Sequence, residues 1–108
     1  MRVLLDTHAV IWWVTDRGKV SAKVRARIRA SGRLPEVAAL IDDDDQNMIG
    51  LGWNSLAISP MHAIATARLA GPHKNPFDRM LVAQSHVEGL IVATVDPQIA
   101  NLGARVVW

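Results

Sequence analysis

Three aspartates, Asp6, Asp78 and Asp96, are the residues whose type and position are best suited to chemistry. Asp6 halts the apolar run Val3-Leu4-Leu5, and Asp96 follows the nearly continuous apolar run at residues 90–95. Asp78 opens a predicted helix just after Asn75-Pro76-Phe77. Open α/β sheets bind ligands in the crevice beyond the carboxyl ends of their strands, so a carboxylate there faces a ligand site. Carboxylates gathered at one rim repel one another, and a divalent cation relieves that repulsion. Magnesium keeps several waters and uses one or two carboxylates plus substrate phosphate oxygens, so a sparse aspartate set is enough to seat it. Once seated, such an ion generates a nucleophilic water and stabilises phosphoryl charge, which is the chemistry of phosphodiester hydrolysis. Each aspartate also has an explanation without chemistry, as a helix cap or a turn residue beside proline, and spacing alone leaves both readings open.

The elements that must position these residues alternate along the chain. A first strand ends at Asp6, and Thr7 can cap a helix through residues 8–14 that is apolar on nearly every side. Trp12 and Trp13 lie about 100° apart on that helix and so pack against different elements, with an interface role for one of them as the alternative. Ser21 caps a second helix over residues 22–30, whose Val24 and Ile28 face inward. Its Lys23, Arg25, Arg27 and Arg29 form a solvated face; a phosphate-binding stripe would require them to share a groove with the aspartates. Pro35 suits the first position of a third helix running through Val37, Leu40 and Ile41 into Asp42-Asp43-Asp44-Asp45. Four adjacent carboxylates sit badly at the negative end of a helix, so that run marks a fraying end in a solvated loop.

A second strand is predicted over residues 54–59, followed by a helix capped by Ser59, opened by Pro60 and ended by Gly71. His62 falls in its first turn and reads as an exposed polar residue. The helix over residues 77–87 is closed by Gly89, and residues 90–95 form a strand of the kind covered on both faces in a parallel sheet. A short helical turn from Pro97 and a last edge strand at residues 105–108 complete the series. Strands alternating with helices predict a parallel sheet with helices on both faces, in a single domain spanning 1–108.

Composition narrows the chemistry further. Half of the 108 residues are apolar, enough for a small core, and the net charge of +2 permits a polyanionic partner without requiring one. The lack of cysteine fits a reducing compartment and leaves only oxygen ligands and four histidines for metals. No signal-peptide pattern or membrane-length apolar run occurs, so the expected location is cytoplasmic, with no membrane partner.

Three separated motifs resemble the PIN-domain family, and within it the VapC-type toxins of bacterial toxin–antitoxin pairs. They are Leu4-Leu5-Asp6-Thr7-His8 with Trp12-Trp13, the stretch from His73-Lys74-Asn75-Pro76 through Phe77-Asp78-Arg79 to Gln84, and Ala93-Thr94-Val95-Asp96-Pro97. The resemblance extends over almost the whole chain, including the helix start at Ser59-Pro60. It implies a three-layer α/β/α fold and a ribonuclease dependent on Mg2+ or Mn2+. RNA would be the substrate, a cognate antitoxin the inhibitor and a homodimer the usual assembly. Asp6, Asp78 and Asp96 match three acidic metal-site positions of the family, and Thr94 a polar position beside the same pocket. The chain departs from the family between residues 31 and 35, where members carry a further strand and a helix start bearing a Trp-Glu pair. Neither that strand nor its glutamate has a counterpart, so the expected sheet is one strand short, with weakened metal affinity and rate. Glu36 is the acidic residue nearest the gap, and Asn75 stands where these toxins usually have aspartate. The alternative is a catalytically inactive PIN-fold binding module that interacts with an antitoxin.

Overall fold

Three fully buried residues, Val3, Leu4 and Leu5, form the strand on which the sheet is built. The computed structural model describes residues 2–39, 52–69 and 75–108. Along them run β1 (Val3–Leu5), α1 (Thr7–Thr15), a 3₁₀ turn (Arg17–Lys19), α2 (Ala22–Ser31), β2 (Glu36–Ala39) and β3 (Asn54–Ala57). Then come α3 (Pro60–Arg68), α4 (Pro76–Glu88), β4 (Ile91–Ala93), α5 (Pro97–Asn101) and β5 (Val106–Val107). All five strands are parallel, in the order β3-β2-β1-β4-β5.

Successive residues of a strand point to opposite faces, and β1 uses both. Val3 and Leu5 join Ala9 and Trp13 of α1, Val24 and Ile28 of α2, and Trp53 in one core cluster. Leu4 joins Leu81 and Val82 of α4, Ile99 of α5, and Leu90 and Val92 in the other. The result is a three-layer α/β/α arrangement around a small parallel sheet, as the alternation of elements predicts. Among the described residues, no helix is long and apolar enough to cross a membrane.

Several local expectations are corrected. The segment from Pro35, expected to be helical, enters β2, so the sheet has five strands where the sequence pattern supplies four. Spacing of Val37, Leu40 and Ile41 suits a helix, but over Glu36–Ala39 tertiary pairing decides otherwise, and Leu40 and Ile41 lie outside the described residues. Glu36 and Val37 lie in register with Leu4 and Leu5 on one side and with Asn54 and Ser55 on the other. Both backbone edges of β2 are thus paired, and β1 has a neighbour on each side instead of an open edge. Asp42–Asp45, Gly71 and the loop residues 46–51 lie outside the described residues. The first helix is capped by Asp6, not Thr7, because the Asp6 carboxylate reaches the Ala9 N–H.

His62 is buried rather than exposed, at 1%. The Ser59 N–H donates to its Nδ1 (3.0 Å), so Nε2 carries the proton and donates to Glu88 Oε1 (2.8 Å). With the Ser59 hydroxyl accepting from the His62 N–H, the pair closes a capping box that ties α3 to the end of α4. The two tryptophans of α1 do separate: Trp12 packs on Trp108, ring centroids 5.3 Å apart, while Trp13 is buried under the Arg17 guanidinium, 4.4 Å from its ring centroid. Gly52 has a positive φ of 94°, and a Cβ there would lie 2.9 Å from the Trp13 indole nitrogen, so only glycine fits against this face of α1.

At the start of β2, Glu36 is 5% exposed and paired with Arg2 Nη1 at 3.0 Å. Burial raises its carboxyl above the ordinary 4.5, with the Arg2 and Arg33 charges opposing that rise. The folded chain therefore binds the Glu36 proton more tightly than the unfolded chain. That contribution to stability is fully present below 4.5 and is lost as pH rises through the raised folded value. In urea melts at about pH 4 and about pH 7, the unfolding free energy of the native chain minus that of Glu36→Gln should fall at the higher pH. A difference that is constant or rises with pH would contradict this placement of Glu36.

Candidate active site

The sheet order places a topological switch point between β1 and β4. From β1 the chain steps outward to β2 and β3, then returns across to β4 and β5 on the other side. Beyond the carboxyl ends of strands at such a point lies the usual ligand crevice of an open parallel sheet. Here a cleft of ≈ 570 Å³ opens, and Asp6, Asp78 and Asp96 all line it.

Asp6 is fixed by three elements at once. It follows β1, and its N–H donates to the Ala93 carbonyl of β4 at 3.2 Å. Its Oδ1 accepts from the Ala9 N–H at 2.8 Å, which caps α1, and its Oδ2 accepts from the Thr94 hydroxyl. Both side chains are buried, Asp6 at 7% and Thr94 at 5% exposure. Thr94 in turn accepts from the Asp96 N–H at 3.0 Å. Asp96 caps α5 through Oδ1, which accepts from the Gln98 N–H at 2.9 Å. One hydroxyl thus links the two strand-end aspartates.

Asp78 lines the cleft from the first turn of α4. Asn75 caps that helix with its side-chain oxygen, accepting from the Phe77 N–H at 3.0 Å, and lines the cleft itself. Its position is therefore filled by a residue that supplies the cap without supplying a charge. Arg79 is turned away, donating to the Thr66 carbonyl at 3.4 Å and to the Leu69 carbonyl.

The structure thus gathers the three predicted aspartates, and Thr94 contacts two of them. It does not bring in Glu36, which lies at the amino end of β2 against Arg2; the described residues of that strand that line the cleft are Val37 and Ala38. Nor does it bring in the basic residues of α2. Lys23 and Arg27 line a separate groove with Val106, Val107 and Trp108, and Arg25 and Arg29 are exposed. His8, Ile58, Phe77 and Met80 are among the other described residues that line the cleft, and the sequence assigned none of them a role in the site. A ring or thioether near a carboxylate leaves no spacing signature, and only the placement of α1 and α4 reveals them.

Among the described residues lining the cleft there is no lysine or arginine. Three carboxylates on one cleft wall or another make it an acceptor for positive charge. No three His, Asp or Glu side chains among the described residues come close enough together to form a preassembled metal cage. The set instead suits a hydrated hard cation, because magnesium needs only one or two carboxylate oxygens and retains its waters. Asp6 and Asp96, linked through Thr94, and Asp78 are the described residues of the cleft that could hold such an ion. No protein-family model matches the chain, and no curated protein matches it in sequence.

Thr94→Val keeps the volume of the side chain and removes the donor to Asp6. It leaves a buried carboxylate oxygen unpaired, so the unfolding free energy should drop by about 2 kcal/mol, while Thr94→Ser should lose less than half of that. Chemical denaturation of the two variants checks this. A loss confined to Thr94→Ser would show that the methyl group, and not the hydroxyl, holds Thr94 in place.

Proposed function

We propose that the chain is a PIN-domain ribonuclease of the VapC toxin type, hydrolysing RNA phosphodiester bonds with Mg2+ or Mn2+. The observation that carries this reading is the common cleft: three aspartates far apart in sequence line one crevice at the switch point of a parallel sheet. Asp6 and Asp96 would hold the ion, and Asp78 would complete the acidic set. When bound, the ion supplies Lewis-acid activation of a water and neutralisation of phosphoryl charge.

The protein's own part in the chemistry is positional. Thr94 and the Ala9 N–H both donate to Asp6, which holds it as an acceptor with its oxygens directed by fixed bonds. The amino end of α4 beside Asp78 adds a favourable dipole for an approaching phosphate. By the same reading the substrate is RNA, a cognate antitoxin covers the cleft, the assembly is a homodimer and the setting is the cytoplasm.

One observation favours a second reading, an inactive PIN-fold module that binds an antitoxin. Among the described residues, the strand beside β1 gives the cleft Val37 and Ala38 but no carboxylate, an acidic set smaller than the family pattern implies.

Cleavage of a mixed pool of end-labelled RNAs separates the two. The ribonuclease reading predicts manganese-dependent cleavage that excess chelator abolishes. Asp78→Asn should slow it at least about tenfold, the lower end of the loss seen when outer-shell partners of metal sites are removed. A folded protein whose background is the same with and without manganese, and with and without Asp78, would leave the binding module as the better account.

A further inference from the structure

Among the described residues, β5 is an edge strand of the sheet, paired with β4 alone. The Val92 and Thr94 N–H groups donate to the Arg105 and Val107 carbonyls, at 2.8 and 3.2 Å, so Arg105 and Val107 turn their backbone groups toward β4. Alternate residues of a strand direct N–H and C=O to opposite sides, and Val106 therefore directs both away from β4, along the outer edge. Val106 is 39% exposed and lines a groove of ≈ 700 Å³ together with α2. From α2 come Lys23, Ala26, Arg27 and Ala30, all exposed and on one stripe of the helix. The groove thus combines two cations a turn apart, small side chains that leave room, and a strand edge with an outward-facing donor and acceptor.

We infer that this groove docks an extended acidic segment of a protein partner, which adds to β5 as a further strand and sets alternate carboxylates against Lys23 and Arg27. A strand edge is satisfied by another peptide backbone, which supplies a carbonyl for the Val106 N–H and an N–H for the Val106 carbonyl. A rise of about 1.5 Å per residue puts Lys23 and Arg27 about 6 Å apart along α2, and alternate residues on one face of an added strand lie about 6.6 Å apart. Carboxylates at that alternation match the two cations pairwise. RNA would meet the same cations through phosphates, but it has no ladder of N–H and C=O groups to offer the edge, so the peptide is favoured. Lys23, Arg27 and Val106 do not line the acidic cleft, and this docking is independent of the nuclease reading.

The probe is a short fluorescein-labelled peptide alternating glutamate and valine, titrated into the native protein and into the double variant Lys23→Glu, Arg27→Glu, with anisotropy as the readout. Both side chains are exposed, so melts of the two proteins should coincide. The native chain should bind the peptide saturably and more weakly as salt rises, and should leave a lysine–valine counterpart unbound. The double variant should bind the glutamate peptide at least about tenfold more weakly and take up the lysine peptide instead. Backbone pairing is read with two further glutamate peptides, each N-methylated on one set of alternate amides: methylating the set that faces β5 should abolish binding, and methylating the other set should not. A native chain that binds no peptide at millimolar concentration, or a double variant that binds it equally well, overturns the proposal. Equal binding of the two methylated peptides also overturns it, because charge alone would then hold them, and displacement by single-stranded RNA would in that case leave the groove to phosphates.

Discussion

The hydrogen bond from Thr94 to Asp6 is the contact on which the candidate site depends. β1 and β4 are parallel neighbours, with Leu5 opposite Ala93, so the two residues that follow lie side by side where the strands end. Asp6 closes the first turn of α1, Thr94 takes up the carboxylate from β4, and Asp96 hangs from Thr94 through its own N–H. A chain that failed to pair β1 with β4 would lose the cap of α1 and the link between the two strand-end aspartates together. The site is therefore a consequence of the sheet order, in which the reversal between β2 and β4 opens a crevice at this pair of strand ends.

Charge is distributed around that crevice in a consistent way. The acidic residues at the carboxyl end of the sheet, Asp6, Asp78 and Asp96, line the cleft, while Glu36 is held by Arg2 at the opposite end of β1. Glu88 lies at the far end of α4 from Asp78 and is bonded to His62. The two glutamates thus do structural work, one anchoring β2 and the other closing α3 against α4. Of the basic residues of α2, Lys23 and Arg27 line a different groove.

Most of this architecture was legible in the sequence because its strongest signals are local. Apolar runs ending in aspartate at Leu5 and Val95, the Ser21 and Ser59 caps, and Gly89 at φ 66° mark element ends by their own chemistry. What was not legible depended on partners distant in sequence. Residues 36–39 have a spacing that suits a helix, and they become a strand because β1 and β3 offer paired edges on both sides. A short apolar segment does not distinguish the two by periodicity. The burial of His62 likewise depends on Glu88, 26 residues away. Asp6 and Thr7 are both good capping residues, and only the geometry of the Ala9 N–H selects Asp6. The positions of the three aspartates could be anticipated; the exposed ring of Phe77 in their cleft could not.

The account's central claim is that the strand-end aspartates form a cation seat around Asp6. Calorimetric titration of manganese into protein that melts cooperatively, alongside Asp6→Asn, tests it most directly. Asparagine keeps one oxygen to cap α1 at the Ala9 N–H and sets an NH2 in place of the oxygen that faces Thr94, so a cooperative melt of the variant accompanies its titration. The account predicts saturable binding by the native chain and none by Asp6→Asn. A folded native chain that takes up no manganese, or a variant that binds it equally well, would contradict the account.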